Sequence, residues 1–281
     1  MRLNFSHFIH SPNIGARIAA FYWSQTRRFP PAAWEGLHLA KSTKLTFTWN
    51  RQLLNAHSWG NGPIILLVHG WNGRASQMSK IGMHLAANGF RAVALELPAH
   101  DQHRATHTHL LELADALVCA LAAFGPIHGI LAHSLGVPVS LLGILQHAYL
   151  HRNIRIVAIG APTQMKMLVE NFIQETQMPT SVSSAFLSRL EQNFEAEKKP
   201  YPLETSIWDA LSLRYMIDKL PNSCLFIHDR QDLLPIHPIE KLVAGRVQSS
   251  LLITEGLGHF RTLQNGAVIE KILDFFISEE E

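Results

Sequence analysis

Ser134 lies in Ala132-His133-Ser134-Leu135-Gly136, at the end of a short apolar run (127–132) and directly before an amphipathic stretch (135–150). A serine between small residues at a strand-to-helix turn projects its hydroxyl above a sheet, where a nucleophile is needed. The turn is sharp, so the positions two before and two after must be small, as Ala132 and Gly136 are. The following helix points its positive N-terminal end at the turn, which favours developing negative charge. Pro138 falls in that helix's first turn, where a missing N–H is tolerated. The plainer alternative is a serine that only caps a helix.

Three further fragments supply what a serine nucleophile requires. Val68-His69-Gly70-Trp71-Asn72-Gly73 follows an apolar run at 64–68. Acyl transfer needs two N–H donors for the oxyanion, and Trp71 and Leu135 are the candidates. A plain turn built on Gly70 and Gly73 is the alternative. His228-Asp229-Arg230-Gln231-Asp232 follows the run 224–227; Asp232 is the candidate acid and Asp229 a turn former, a common role for Asp. No Asp or Glu directly follows the run 154–159, the other place for such an acid. Gly256-Leu257-Gly258-His259 follows the run 251–254, and two glycines give that loop the freedom to bring His259 to Ser134 as base. The chain order Ser, Asp, His suits one nucleophile, its base and the acid orienting the base.

Strands and helices must carry these groups to one place. Apolar runs at 45–49, 64–68, 92–97, 127–132, 154–159, 224–227 and 251–254 read as strands. Several are continuously apolar, as in a sheet covered on both faces. Helical stretches at 77–88, 106–124, 135–150, 238–244 and 267–277 alternate with them. The pattern predicts an α/β fold: a mostly parallel, doubly covered sheet. The rhythm breaks at 163–216, where short helices interrupted by Pro179, Pro200 and Pro202 replace strands. This stretch is expected to be an inserted helical cap. Its Phe172, Met178, Phe186, Phe194, Tyr201, Trp208 and Met216 could line an apolar pocket or pack the cap down. Residues 41–162 and 217–281 form the body, and 1–40 an N-terminal extension. Its stretch 14–28 is expected to be a helix docked on the body, the alternative being a peripheral membrane helix.

Together these fragments resemble the α/β-hydrolase superfamily over roughly residues 45–276, most closely its small, capped, esterase-like members. Glu96-Leu97-Pro98-Ala99-His100-Asp101 is similar to the superfamily's strand-end Pro-Gly-His-Gly loop, with Ala99 and Asp101 where glycines are usual. Ala132 likewise replaces the commoner first glycine of the elbow. The resemblance implies hydrolysis of a carboxylic ester or thioester of short to medium acyl chain through an acyl-enzyme on Ser134, without metal or organic cofactor. Amide, lactone and carbon–carbon hydrolysis use the same parts, and some proteins of this fold only bind small molecules. An Asp nucleophile, as in dehalogenases, is argued against by Ser134.

Composition narrows the partners. The formal net charge of +2, without a Lys/Arg block, gives no nucleic-acid footprint. No apolar run approaches the roughly 20 residues of a bilayer span, and no secretory leader is visible, so a cytoplasmic location and a small-molecule acyl substrate are expected. Cys119 and Cys224 read as separate buried thiols. His100, Asp101, His103, His107 and His109 crowd one stretch but match no metal-binding spacing, so no metal site is expected. His69 and Glu96 are expected to be structural hydrogen-bonding groups, and His133 to pack beside the elbow.

Overall fold

The computed structural model describes residues 4–101, 103–147, 153–201, 203–220 and 222–278. Its strands are β1 (Thr43–Trp49), β2 (Gln52–Trp59), β3 (Ile64–Val68), β4 (Arg91–Leu95), β5 (Ile127–His133), β6 (Arg155–Ile159), β7 (Cys224–Asp229) and β8 (Ser249–Thr254). They form one sheet in the order β1-β2-β4-β3-β5-β6-β7-β8. The β1–β2 and β2–β4 pairs are antiparallel and all others parallel.

Period-two alternation explains the continuous apolar runs. In β3, Leu66 and Val68 join one buried layer with Val93, Ile130 and Ile156. Ile65 and Leu67 join the opposite layer with Ala92, Leu131 and Val157. Each layer is closed by helices. The helices are α1 (Pro12–Ser24), α2 (Ala33–Leu39), α3 (Ser79–Ala87), α4 (Leu110–Phe124), α5 (Gly136–Gln146), α6 (Met165–Glu175), α7 (Thr180–Glu197), α8 (Ile207–Ala210), α9 (Leu213–Asp218), α10 (His237–Val243), α11 (Gly258–Arg261) and α12 (Gly266–Ile277). α4 and α5 cover the first layer, α3 and α12 the second. Four helices, α6 to α9, occupy the connection from β6 to β7.

The structure departs from the sequence reading in three places. β2 is an additional strand: its polar Asn55, His57 and Ser58 hide the pattern, although Leu54 and Ala56 are buried. Its hairpin with β1 turns on Asn50 and Arg51, at φ 43° and 60°. This is a two-residue turn of left-handed residues without the usual glycine signal. α4 begins at Leu110 instead of 106, capped by the His109 ring, which accepts from Glu112 N. The expected helix 135–150 is seen as Gly136–Gln146; positions 148–150, like Pro202, lie outside the described residues.

The third departure concerns α1. It packs most extensively on α7, in the β6–β7 connection, through Ala16, Ala19, Val182 and Phe186. A Cβ on Gly15 would lie 2.8 Å from Val182 Cγ1, so the two helices touch where α1 has no side chain. The small residues Gly15, Ala16 and Ala19 make a flat face that the bulkier helices over the sheet would not fill.

After α1 the chain runs back across the body. Thr26 N donates to Thr106 O at 2.8 Å, and Arg27 N to Asn72 Oδ1 at 2.6 Å. α2 then anchors through Glu35, which takes a two-pronged hydrogen bond from Arg74 at 2.6 and 2.7 Å and one from Ser76. Both partners are buried, Glu35 being 3% and Arg74 8% exposed. Burial would raise the Glu35 carboxyl, but the Arg74 and Ser76 hydrogen bonds outweigh it and hold the group below its ordinary pKa.

Candidate active site

β5 ends in a forced turn. Ser134 has φ 53°, a left-handed conformation costly for a side chain, and its N–H donates to Ile159 O at 2.8 Å. A Cβ on Gly136 would lie 2.5 Å from Val68 O and 2.6 Å from His69 O, so only glycine fits two residues past the serine. Gly70 is equally constrained: a Cβ there would lie 2.8 Å from Ser134 Cβ. The 70–73 loop therefore lies directly against the elbow, with Trp71 half-buried beside it and Leu135 heading α5. That contact brings the loop carrying Trp71 against the elbow, which Leu135 directly follows.

The 70–73 loop is held by side chains on both flanks. His69, 1% exposed, donates from Nδ1 to Gly70 O at 2.8 Å and accepts Leu97 N at Nε2 at 3.2 Å. Burial, with His100 nearby, keeps its pKa well below the usual value, so it stays a neutral clamp. Glu96 accepts Ala75 N at 2.9 Å; burial and Asp101 raise its carboxyl well above the ordinary range. Ala99 and Asp101 adopt φ 63° and 44°. The loop thus keeps left-handed backbone at both positions where the resembling loops carry glycine.

Asp232 and His259 meet from neighbouring strand ends. His259 Nδ1 lies 2.9 Å from both Asp232 oxygens, and Leu234 N donates to Asp232 Oδ1 at 2.9 Å. The Asp232 side chain is 1% exposed and that of His259 10%. Burial alone would raise the Asp232 carboxyl; the hydrogen bonds from His259 and Leu234 override it and lower the pKa. An ionised acid held this way keeps the proton on Nδ1 and leaves Nε2 free to accept.

Three residues position this pair. Asp229 accepts Gln231 N at 2.9 Å, Thr254 Oγ1 at 2.8 Å and Leu257 N at 3.0 Å, tying the β7 loop to the β8 loop. Burial opposes its charge, but these donors and Gly258 N bring its pKa down to about 2. His133 Nε2 bonds His259 O at 2.8 Å, and the two rings sit 4.7 Å apart. Burial and the neighbouring His259 lower its pKa to about 4, so at neutral pH it donates from Nε2 as an uncharged ring. A Cβ on Gly160, at φ 57°, would lie 3.1 Å from His259 Nδ1 and 3.2 Å from Asp232 Oδ2. The pair therefore rests on bare backbone. Gly160 and His133 were legible only as a glycine after a strand and a histidine before the serine.

Gly160 directly follows Ile159, whose carbonyl accepts Ser134 N, so the imidazole beside Gly160 lies over the end of β6, the strand next to the one that carries Ser134. The Ser134 hydroxyl is half-exposed and has no hydrogen-bond partner among the described residues. Serine–base bonds commonly tighten only around substrate.

A profile of the alpha/beta hydrolase family matches residues 65–271. The chain belongs to the alpha/beta hydrolase family. Its eight-stranded, mostly parallel sheet with helices on both sides is the fold of that family. Among solved structures, this alpha/beta hydrolase superposes on a protein from Acinetobacter baumannii AYE assigned as a lipase, with TM-score 0.63 and 14% identity, over 89% of this chain and 97% of that one. An esterase from Exiguobacterium antarcticum gives TM-score 0.60 and 16% identity, over 84% and 100%. The thioesterase domain from the curacin biosynthetic pathway gives 0.57 and 17%, over 83% and 99%. At these identities the likeness speaks for the fold. No curated protein sequence matches the chain.

The crowded histidines disperse. His103 bonds Gln52 at 3.1 Å, His107 packs on Phe21 at 4.2 Å between ring centres, and His109 pairs with Glu197 at 2.9 Å. His100 is buried, bonded to Pro98 O and lowered to about 4 by that burial. No group of three metal-ligating side chains occurs among the described residues. None of the described helices is long and apolar enough to cross a membrane.

Proposed function

We propose that this alpha/beta hydrolase cleaves a carboxylic ester or thioester through an acyl-enzyme on Ser134. The supporting observation is the His259–Asp232 pair, seated on Gly160 one residue from the backbone atom that holds the strained Ser134. Ser134 Oγ attacks the acyl carbonyl while His259 Nε2 takes its proton. Asp232 fixes the imidazole tautomer and stabilises the imidazolium. The N–H groups of Trp71 and Leu135 receive the oxyanion, whose charge the α5 N-terminus also favours. His259 then returns the proton to the leaving group, and a water deprotonated by the same ring releases the acid. These groups complete the cycle without a metal or organic cofactor.

In this reading, residues 41–162 and 217–281 are the catalytic body. Residues 163–216 cap it, and the extension 1–40 braces both. The substrate is a small acyl compound, and nucleic acid has no role. A cytoplasmic location belongs to the same reading, supported by the free thiols of Cys119 and Cys224.

Labelling with a fluorophosphonate and mapping the adduct tests the assignment. Modification at Ser134, lost on prior heat denaturation, is expected. A folded protein that leaves Ser134 unlabelled, or labels elsewhere with equal yield, overturns it in favour of a binding protein on the same fold.

A further inference from the structure

A cavity of about 390 Å³ is lined by none of Ser134, Asp232, His259, Trp71 or Leu135. Its walls come from α1, α4, α6, α7 and α8, so the N-terminal extension and the insertion build it jointly. Phe21, Trp23, Leu111, Val169, Leu190 and Trp208 give it an apolar interior. At the low end of the ~300–1,000 Å³ range of ligand pockets, it suits one hydrocarbon chain rather than two.

Two of the three Arg and Glu side chains along this cavity are guanidinium groups without a partner among the described residues. Arg17 on α1 and Arg189 on α7 both line it and are exposed. Neither is held by an ion pair or side-chain hydrogen bond to another described residue. The one carboxylate in the lining, Glu197, is already engaged by His109 at 2.9 Å. An apolar chamber bordered by two free guanidinium groups matches a molecule with a hydrocarbon tail and an anionic head. Guanidinium binds carboxylate or phosphate oxygens in a fixed fork, and the tail is driven in by loss of water contact.

We infer that the cavity between α1 and the insertion binds a single-chain anionic amphiphile, with Arg17 and Arg189 taking the head group and the apolar wall taking the tail. The site needs none of the chemistry assigned to Ser134, so it stands or falls separately from the hydrolase reading. It also gives the extension a use beyond bracing: without α1 one wall of the cavity, with Arg17 and Trp23, is gone.

Titration of the full-length protein with dodecanoate, followed by calorimetry and by the fluorescence of Trp23 and Trp208, tests this. One-to-one binding is expected, with dodecanol and acetate each at least ~10-fold weaker because each lacks one half of the match. Dodecyl phosphate binding as well as dodecanoate identifies the head group only as an anion; weaker phosphate binding narrows it to carboxylate. The double variant Arg17→Gln/Arg189→Gln, at exposed positions that leave the fold intact, is expected to weaken dodecanoate at least ~10-fold with little effect on dodecanol. Val169→Trp is expected to block both; should it fail to fold, the arginine variant decides. Ser134→Ala is expected to bind as the wild type does. Dodecanol binding as tightly as dodecanoate, or dodecanoate binding indifferent to the arginine variant, overturns the proposal.

Discussion

The two halves of the candidate site are held in different ways. The acid–base half, on the β7 and β8 loops, is pinned by one carboxylate: Asp229 gathers donors from Gln231, Thr254 and Leu257. It is also held from β5 and β6, by His133 on the His259 carbonyl and by Gly160 beneath the pair. The nucleophile half, on the β3 and β5 loops, is shaped by glycines with no room for a Cβ and is buttressed from outside the sheet. Arg74, just past the 70–73 loop, is neutralised by Glu35, and Asn72 is bonded by Arg27 N. One half is thus held from the ends of the sheet's own strands, whereas the other depends also on a segment that precedes the whole sheet. The extension on this evidence is part of the site's scaffold, not an appendage.

The comparison can be broken at several points, beginning with the chemistry both halves serve. Ser134→Ala is expected to lower turnover of a responsive ester by at least ~10³-fold, and Asp232→Asn by a comparable factor, with little change in melting temperature. Steady-state kinetics on p-nitrophenyl esters of increasing chain length provides the readout. Near-normal turnover by either variant removes the premise that the two halves cooperate.

Glu35→Ala leaves the buried Arg74 unpaired and is expected to cost about 3–5 kcal/mol in chemical denaturation. In the protein that remains folded, turnover should fall while the Asp232–His259 proton resonance, read by NMR, is unchanged. Loss of that resonance as well would show that the halves are not separable. Asp229→Asn should cost less, about 1–3 kcal/mol, because its side-chain oxygen still accepts some of the N–H groups. Here the resonance should shift, because the β8 loop carrying His259 loses its anchor.

The most gradual effect is a dependence of stability on pH. His133 and His100 have folded pKa values near 4, below the ordinary 6.5, and Asp229 one near 2, below the ordinary 3.8. In each case the unfolded chain binds the proton more readily, so the stabilisation is complete above the ordinary value. It should decline as pH falls from about 6.5 to 4 through the histidines and again from about 4 to 2 through Asp229. Melting curves across these windows are the check. His133→Gln should flatten the upper window and Asp229→Asn the lower, each without affecting the other.

Much of this was legible in the residues themselves. The elbow around Ser134, the loop at Gly70 and the order Ser134, Asp232, His259 stand in the sequence because each depends on a few adjacent residues at a strand end. Asp232 and Asp229 were both readable as carboxylates at a strand end; in the structure Asp232 bonds His259, whereas Asp229 accepts the Leu257 N–H. β2 was not readable, because its turn lacks glycine and polar residues, among them the buried His57 and Ser58, interrupt its apolar pattern. The backbone of Ala99 and Asp101 shows the converse: it is left-handed at residue types that do not announce that conformation.

What the sequence by itself determined is local: alternation of strand and helix, the small residues a sharp turn demands, and which side chains can exchange a proton. What only the tertiary structure decided is every relation between distant segments. His133 grips the carbonyl of a residue 126 positions away, α1 packs most extensively on α7, and Gly160 becomes the seat of the Asp232–His259 pair. The physical reason is that periodicity and turn chemistry act over a few bonds. The partner of a buried donor or a bare helix face is selected by which surfaces close-pack once the whole chain has collapsed.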